Sequence, residues 1–187
     1  MALRIREMKL EEVGLRIRYF HDASPEYLEA LGVDPTRLPS PSKWQEYYAR
    51  EYSKPVEKRK EFLVVWESED GVIGFSTANR IVFGREAHMH LHIVRPEQRR
   101  VGNGAACVKE TVELYFKTFK LERIFCEPNA FNVAPNRTLQ AAGFKYLKTY
   151  KTVPDALNFH QAVTCWVLER QVHSFTGSGA SSNTQPD

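Results

Sequence analysis

The sequence predicts an α/β protein of one domain, with an α+β arrangement around a sheet of about seven strands. Patterns of strand and helix follow one another along the chain, and 187 residues suit one domain with a full hydrophobic core. Two β-rich runs also meet at Asp70-Gly71, which is a strong hairpin signal. We therefore expect antiparallel neighbours in part of the sheet.

In the first quarter of the chain, one short strand precedes three helices. Apolar residues recur there at helical spacing, and Ser24, Pro25 and Gly32 mark the start and the end of one helix. The patterns predict a strand at 3–7, helices at 10–23, 24–32 and 43–52, and a proline-rich loop at 34–42.

The rest of the chain is richer in strand patterns and ends in a polar tail. We expect a hairpin over 61–82, a strand at 86–94, a helix reaching about Lys120, a strand at 121–128, a helix at 132–144, and strands at 145–153 and 159–170. From Gln171 onward the apolar content is lost. The prediction is one domain over 1–170 and a disordered tail over 171–187.

Charge and cysteine content exclude several classes of function. The 26 Lys and Arg residues nearly balance 23 Asp and Glu, for a net charge of +3, so no nucleic-acid partner is expected. Cys107, Cys126 and Cys165 are far apart among apolar neighbours, which is typical of buried thiols in a reducing compartment. No apolar run is long enough to span a membrane. These features predict a soluble cytoplasmic protein, either a monomer or a homodimer.

Glycines and arginines meet before the helix that reaches Lys120, in the run "QRRVGNGAACVKE". A helix N-terminus can hold an oxyanion on its amides, and glycine lets a phosphate approach the backbone closely. A Walker loop would need Lys-Ser or Lys-Thr after Gly104, and a dinucleotide fingerprint would need glycine where Cys107 stands. Neither is present. A bound phosphate or pyrophosphate and a plain turn with solvated arginines both stay open on this motif alone.

A second motif, "EPNAFNVAPNRTLQAAGF", follows at residues 127–144. Together with Arg99-x-x-Gly102-x-Gly104, it makes residues 3–169 resemble the GNAT superfamily of acyl-CoA N-acyltransferases, most of all the branch that includes ribosomal-protein N-terminal acetyltransferases. The resemblance implies a mixed, mostly antiparallel sheet flanked by about four helices, with the fourth and fifth strands splayed. It also implies acetyl-CoA as co-substrate and no metal.

The resemblance assigns the coenzyme contacts by position. The pantetheine arm would bond to the backbone of the fourth strand at Ile93 and Val94. The pyrophosphate would lie on the loop and the helix start, at Arg99, Arg100, Val101, Gly102, Asn103, Gly104 and Ala105. Asn132 and Asn136 would meet the coenzyme from the next helix, although Asn132 could equally cap that helix.

Acyl transfer to an amine needs a base that removes a proton from the ammonium. The strand "EAHMHLHIV" places Glu86, His88, His90 and His92 on one face, where a covered central strand should be apolar. We expect His88 to be the base, with Glu86 and His90 as its neighbours and a pKa near 6.5 or somewhat above. Ordinary hydrogen-bonded strand histidines and a His-x-His metal site stay open, but the metal site lacks a third ligand.

The sequence departs from the family at the position of the general acid. Leu139 stands where many members have Tyr, and Pro135 stands where some have Ser. Water, a histidine or Tyr150 could protonate the thiolate, or it could leave unassisted.

The amine acceptor should lie among the first helices, the meander and the last strands. The candidates there are Tyr19, Asp22, Tyr27, Trp44 and Tyr47. The predicted function is transfer of an acetyl or other short acyl group to a primary amine of a small molecule or a protein N-terminus. The alternative is a non-catalytic acyl-CoA-binding module.

Overall fold

The computed structural model describes residues 3–94 and 103–170, which form one seven-stranded sheet in the order β1-β2-β3-β4-β5-β7-β6. The strands are β1 Arg4–Glu7, β2 Phe62–Ser68, β3 Gly71–Val82, β4 Glu86–Ile93, β5 Arg123–Cys126, β6 Lys145–Thr152 and β7 Gln161–Glu169. All neighbouring strands are antiparallel except β4 and β5. The predicted α/β sheet and its hairpin at Asp70-Gly71 are confirmed. The predicted tail at 171–187 lies outside the described residues.

Five α-helices lie within the described residues, as the sequence patterns predicted, against the about four that the family resemblance implied. They are α1 Gly14–His21, α2 Pro25–Leu31, α3 Pro41–Tyr52, α4 Asn103–Phe119 and α5 Val133–Ala141. The helix expected over 10–23 is shorter, because Leu10–Glu12 forms a separate 3-10 turn. The loop expected over 34–42 ends early, because Ser40 caps α3 and Pro41 occupies its first turn, where proline is well tolerated.

The two faces of the sheet carry separate hydrophobic cores. One core packs α4 and α5 against the sheet and contains Met89, Cys107, Tyr115 and Leu139. The other lies beneath α1, α2 and α3 and contains residues such as Phe75. Because side chains alternate along β4, its apolar residues enter the first core and its histidines face the second.

The pairing of β4 with β5 ends before β4 does. The last paired residues are Met89 and Cys126, whereas β4 continues to Ile93 alongside β3. The two strands therefore part after Met89, which is the splay that the sequence predicted. The gap that they leave is the central feature of the site.

Candidate active site

A cleft of about 340 Å³ opens where β4 and β5 separate. Helices α1 and α2 form one wall with Tyr19, Tyr27 and Leu31, and residues 90–93 of β4 form the floor. The opposite wall and the roof come from the end of β5, from α5 and from the loop between β6 and β7, through Glu127, Asn129, Asn132, Thr138, Asn158 and Gln161. The cleft thus has a coenzyme side at α5 and an acceptor side at α1 and α2.

The backbone of β4 is directed into the gap at alternate residues. The amide of Val94 donates to Ile73 O at 3.0 Å, so it is turned toward β3. Alternation then directs the backbone groups of Leu91 and Ile93 toward the β5 side. The expectation for Ile93 fits this geometry. The amide of Val94 already bonds within the sheet, so the contact expected there stays a prediction, and Leu91 is the other residue with backbone groups directed to the β5 side.

The start of α4 supplies the other part of the expected coenzyme site. Asn103, Gly104 and Ala105 form the first turn of this helix, and the amides at a helix start are suited to binding an oxyanion. A Cβ added at Gly104 would lie 3.4 Å from Thr138 Cγ2 and 3.6 Å from Ile93 Cδ1. Gly104 therefore borders the coenzyme side of the cleft. Arg99, Arg100, Val101 and Gly102 lie outside the described residues.

Asn132 and Asn136, which were expected to meet the coenzyme, have different surroundings. Asn132 is the N-cap residue of α5, but its side chain makes no capping hydrogen bond and instead lines the cleft, with Nδ2 3.5 Å from Ala30 O. The side chain of Asn136 donates to the backbone oxygens of Asn129 and Asn132 and accepts a hydrogen bond from Trp166 Nε1 at 2.8 Å. Asn136 is thus engaged at both ends by the protein itself.

Two histidines of β4, His90 and His92, line the cleft, and His90 is the one next to the point of separation. Its Nε2 is buried without a hydrogen-bond partner among the described residues and lies 3.9 Å from Asp155 Oδ2. Asn79 Nδ2 holds that same oxygen at 3.0 Å. Burial lowers the pKa of His90 to about 4, although the charge of Asp155 opposes this shift. His90 is therefore neutral at pH 7, with a carboxylate behind it.

His88 lies two residues before His90 on β4, and it does not line the cleft. Its ring packs against Phe125, and its Nδ1 is 3.6 Å from Glu127 Oε2. Burial lowers the pKa of His88 below 6.5, against the opposing charge of Glu127. The expected pKa of 6.5 or above is wrong, because the loss of solvent outweighs the carboxylate.

Glu127 follows β5 directly and is one of the site residues that sequence reasoning missed. Its side chain is only 6% exposed, yet it lines the cleft. It accepts a short hydrogen bond from Tyr150, and Arg80 Nη1 lies 3.8 Å from Oε2. Burial, followed by this hydrogen bond, raises the pKa of Tyr150, so its phenol stays protonated at neutral pH.

The other two polar residues of β4 are engaged elsewhere. Glu86 is at the far end of the strand, where it accepts hydrogen bonds from Arg123 at 2.7 and 2.9 Å, and this contact lowers the pKa of Glu86. His92 packs against Phe20 and Phe75, and burial lowers its pKa well below 6.5. The four side chains share a face, but only His90 and His92 border the cleft.

Of the residues expected to meet the amine acceptor, two line the cleft and three do not. Tyr19 and Tyr27 line the cleft, and their hydroxyls are 2.9 Å apart. Asp22 is exposed and borders a shallower depression. Trp44 is only 4% exposed, so it belongs to the core beneath α1 and α3. Tyr47 packs against that same core.

Glu127 and Asp155 differ in how far the sequence could have pointed to them. Glu127 begins the run "EPNAFN", and a carboxylate directly after a buried strand is a recognisable signal. Asp155 lies in the loop between β6 and β7, far from β4 along the chain. No local pattern pairs it with His90, because only the folding of the last two strands brings them together.

The described parts of the chain hold neither a metal-binding cluster nor a membrane-spanning helix. No group of three or more His, Cys, Asp or Glu side chains in residues 3–94 and 103–170 could hold a metal ion. No helix in those same ranges has the length and apolar character needed to cross a membrane.

The model of the acetyltransferase (GNAT) family matches residues 20–144. The chain belongs to this family, as the two motifs predicted. It is an acyl-CoA-dependent acetyltransferase. A comparison with curated proteins finds no match.

Solved structures agree with the fold at low sequence identity. Spermidine N-acetyltransferase from Vibrio cholerae, in complex with CoA and spermine, has a TM-score of 0.72 and 16% identity over 89% of this chain and 95% of its own. Aminoglycoside acetyltransferase AAC(6')-Ib with coenzyme A has a TM-score of 0.67 and 18% identity over 90% and 95%. Ribosomal-protein-S5-alanine acetyltransferase from Vibrio fischeri has a TM-score of 0.70 and 16% identity over 90% and 93%. The last belongs to the branch that the motifs favoured.

Proposed function

We propose that this chain transfers the acetyl group of acetyl-CoA to a primary amine within a ternary complex, with His90 as the general base. The observation that carries the proposal is the position of His90. His90 lines the cleft where β4 and β5 part, and Asp155 Oδ2 lies 3.9 Å from its Nε2. The named acceptors of the similar solved structures, spermine among them, are amines too.

The tautomer of His90 follows from its surroundings. A neutral imidazole carries one N–H and one lone pair, and a nearby carboxylate favours the N–H on the nitrogen that faces it. Asp155 therefore favours a proton on Nε2 and leaves Nδ1 as the proton acceptor. Once His90 has taken a second proton, the carboxylate of Asp155 stabilises the imidazolium.

The reaction follows from this arrangement. His90 takes a proton from the ammonium, and the neutral amine attacks the thioester carbonyl. The C–N bond forms as the C–S bond breaks, the nitrogen then loses its second proton, and the departing CoA thiolate takes up one proton to become the thiol. Tyr150 is a protonated phenol, but its hydroxyl donates its hydrogen bond to Glu127. We therefore assign no general acid to this last step.

We propose fewer coenzyme-binding residues than the sequence led us to expect. They comprise the backbone of Leu91 and Ile93, the first turn of α4 at Asn103, Gly104 and Ala105, the side chain of Asn132, and the loop residues Arg99, Arg100, Val101 and Gly102. Amides at a helix start suit the pyrophosphate, and the added charge of arginine strengthens its binding. Asn136 is left out because its amide is already bonded.

His88 and Glu86 remain part of the proposal in altered roles. His88 touches Glu127 rather than the cleft, so we assign it as a positioning residue. Glu86 lies beside Arg123 at the opposite end of β4, and we assign it no part in the chemistry.

Release of free thiol from acetyl-CoA, measured with a panel of primary amines, tests this function. We expect amine-dependent thiol release and an acetylated amine detected by mass spectrometry. Acetyl-CoA binding without any thiol release across the panel would instead favour the non-catalytic module. The cleft-lining His90 argues against that alternative, because a binding module has no need of a base there.

The three cysteines support the proposed compartment. Cys107, Cys126 and Cys165 are free and buried. Free thiols suit the reducing cytoplasm, which we propose as the location, and we propose a monomer or homodimer without a nucleic-acid partner.

A further inference from the structure

Hydrogen bonds join the segment after α2 to the loop before β7 across the acceptor side of the cleft. We call these two segments, residues 31–34 and 156–161, the strap. The amide of Asp34 donates to Leu157 O at 2.8 Å, and Val33 forms a β-bridge with Asn158. Arg37 Nη1 adds a hydrogen bond to Asn158 O at 2.7 Å. The strap therefore connects two parts of the chain that are more than a hundred residues apart.

The carbonyl of Gly32 accepts three further hydrogen bonds that join the two halves of the strap. It accepts from Asn158 Nδ2 at 2.8 Å, from Gln161 Nε2 at 2.8 Å and from the amide of Phe159 at 3.3 Å. Gly32 ends α2 with a φ of 74°, a left-handed conformation that favours glycine. This geometry turns the carbonyl toward the loop before β7.

Gln161 links the strap to the coenzyme side. Its Nε2 donates to Gly32 O, and its Oε1 accepts a hydrogen bond from Asn129 Nδ2 at 2.7 Å. Asn129 lies between β5 and α5, and its backbone oxygen accepts from Asn136. Gln161 is only 7% exposed, so losing these partners would leave buried polar groups unpaired. The side chain of Gln161 thus fixes the acceptor side of the cleft relative to the coenzyme side.

The strap limits what can enter the cleft. Leu31, Asn158 and Gln161 line the cleft, and they belong to both halves of the strap. Because hydrogen bonds join the halves, a peptide could pass between α2 and the loop only if these bonds broke. A polypeptide that presents an internal lysine would need space on both sides of that residue, whereas a small free amine needs only one opening.

We propose that the strap makes this acetyltransferase selective for compact free amines over amines carried within a polypeptide, and that Gln161 is the positioning residue that sets this selectivity. The inference rests on the proposed function. It adds a substrate class and a specificity-determining residue outside the chemistry at His90.

Gln161→Met tests the proposal, because methionine keeps the length of glutamine and removes the hydrogen bonds to Gly32, Phe159 and Asn129. Gly32→Ala is the second variant, since a Cβ at Gly32 would overlap the carboxamide of Gln161. Gln140→Met is the matched control, because Gln140 is exposed on α5. For each protein, kcat/KM is measured for spermidine and for a short peptide with one internal lysine, alongside acetyl-CoA affinity and hydrogen exchange of the strap amides.

We expect the wild type and the control to prefer spermidine. In Gln161→Met, the ratio of the two kcat/KM values should fall about tenfold, the usual scale of a change in pocket fit. The change should lie mainly in KM, with acetyl-CoA affinity kept and the strap amides exchanging faster. An unchanged ratio despite faster exchange, or equal use of both amines by the wild type, would overturn the selectivity. A wild type that acetylates neither, nor any amine of a wider panel, would overturn the proposed function itself.

Discussion

The Nε2 of His90 lies 3.9 Å from the Oδ2 of Asp155, and Asn79 holds that same oxygen at 3.0 Å. The three residues come from β4, the loop between β6 and β7, and β3. They place a histidine on the floor of the cleft near a carboxylate that a hydrogen bond from Asn79 fixes. A base with an orienting partner is a common arrangement in proton transfer.

Replacing His90 with alanine should lower kcat by about a hundredfold or more, the usual scale for losing a general base. Acetyl-CoA affinity should stay near the wild-type value, because backbone amides hold most of the coenzyme. Steady-state kinetics and calorimetry measure the two quantities. His88→Gln is the matched control on the same strand, and we expect less than a tenfold loss from it. A larger loss in the control than in His90→Ala would return the base to His88.

Gly104→Val should abolish acetyl-CoA binding. The first Cβ would fit against Thr138 and Ile93 at ordinary contact distances, but the two further methyl groups would occupy the space over the helix amides. Calorimetry measures the affinity, and thermal unfolding checks that the fold is kept. Gly104→Ala is the control, with binding weakened but present. Normal affinity in the valine variant would contradict the placement of the pyrophosphate.

Asn136→Leu should destabilise the protein by about 1–3 kcal/mol, the cost of leaving buried polar partners unsatisfied. The variant removes the acceptor of Trp166 Nε1 and the donor to the backbone oxygens of Asn129 and Asn132. Chemical denaturation measures the free energy of unfolding. Acetyl-CoA affinity of the folded variant should change little. A large loss of affinity at unchanged stability would show that Asn136 contacts the coenzyme after all.

Acidification should destabilise the protein through its buried histidines. Burial lowers the pKa of His90 to about 4 in the folded state, whereas an unfolded histidine has a pKa near 6.5. Between these values the unfolded state binds more protons, so the free energy of unfolding falls as the pH falls from about 6.5 toward 4. The full stability is present above pH 6.5.

Denaturant unfolding between pH 7.5 and 4.5 measures this dependence, and His90→Gln should make it shallower. His160→Gln is the matched control, because His160 is exposed. A steep dependence that His90→Gln leaves unchanged would mean that His90 is not the group being titrated. Burial lowers the pKa of the β4 histidines below 6.5. A rise of activity between pH 6 and 9 would therefore report loss of a proton from the acceptor amine.

Local patterns in the sequence predicted the class of fold well. Alternation marked the strands, Ser24 and Gly32 bounded α2, and Asp70-Gly71 made the first hairpin. These features depend on neighbours within a few residues, which is why a single chain reveals them. The start of α3 was less exact, since Pro41 suits a helix start as well as a loop.

The sequence by itself also determined the family and the coenzyme, because both depend on two contiguous motifs whose chemistry is local: helix amides, glycines and arginines close together in the chain. Only the tertiary structure decided which member of the histidine face borders the cleft. Periodicity places His88 and His90 on the same face, but the point at which β4 and β5 part depends on the pairing of distant strands. The partners Asp155 and Glu127, and the strap through Gly32 and Gln161, likewise join segments that are far apart in the chain. No local pattern encodes such contacts, because they arise only when packing of the whole sheet brings those segments together.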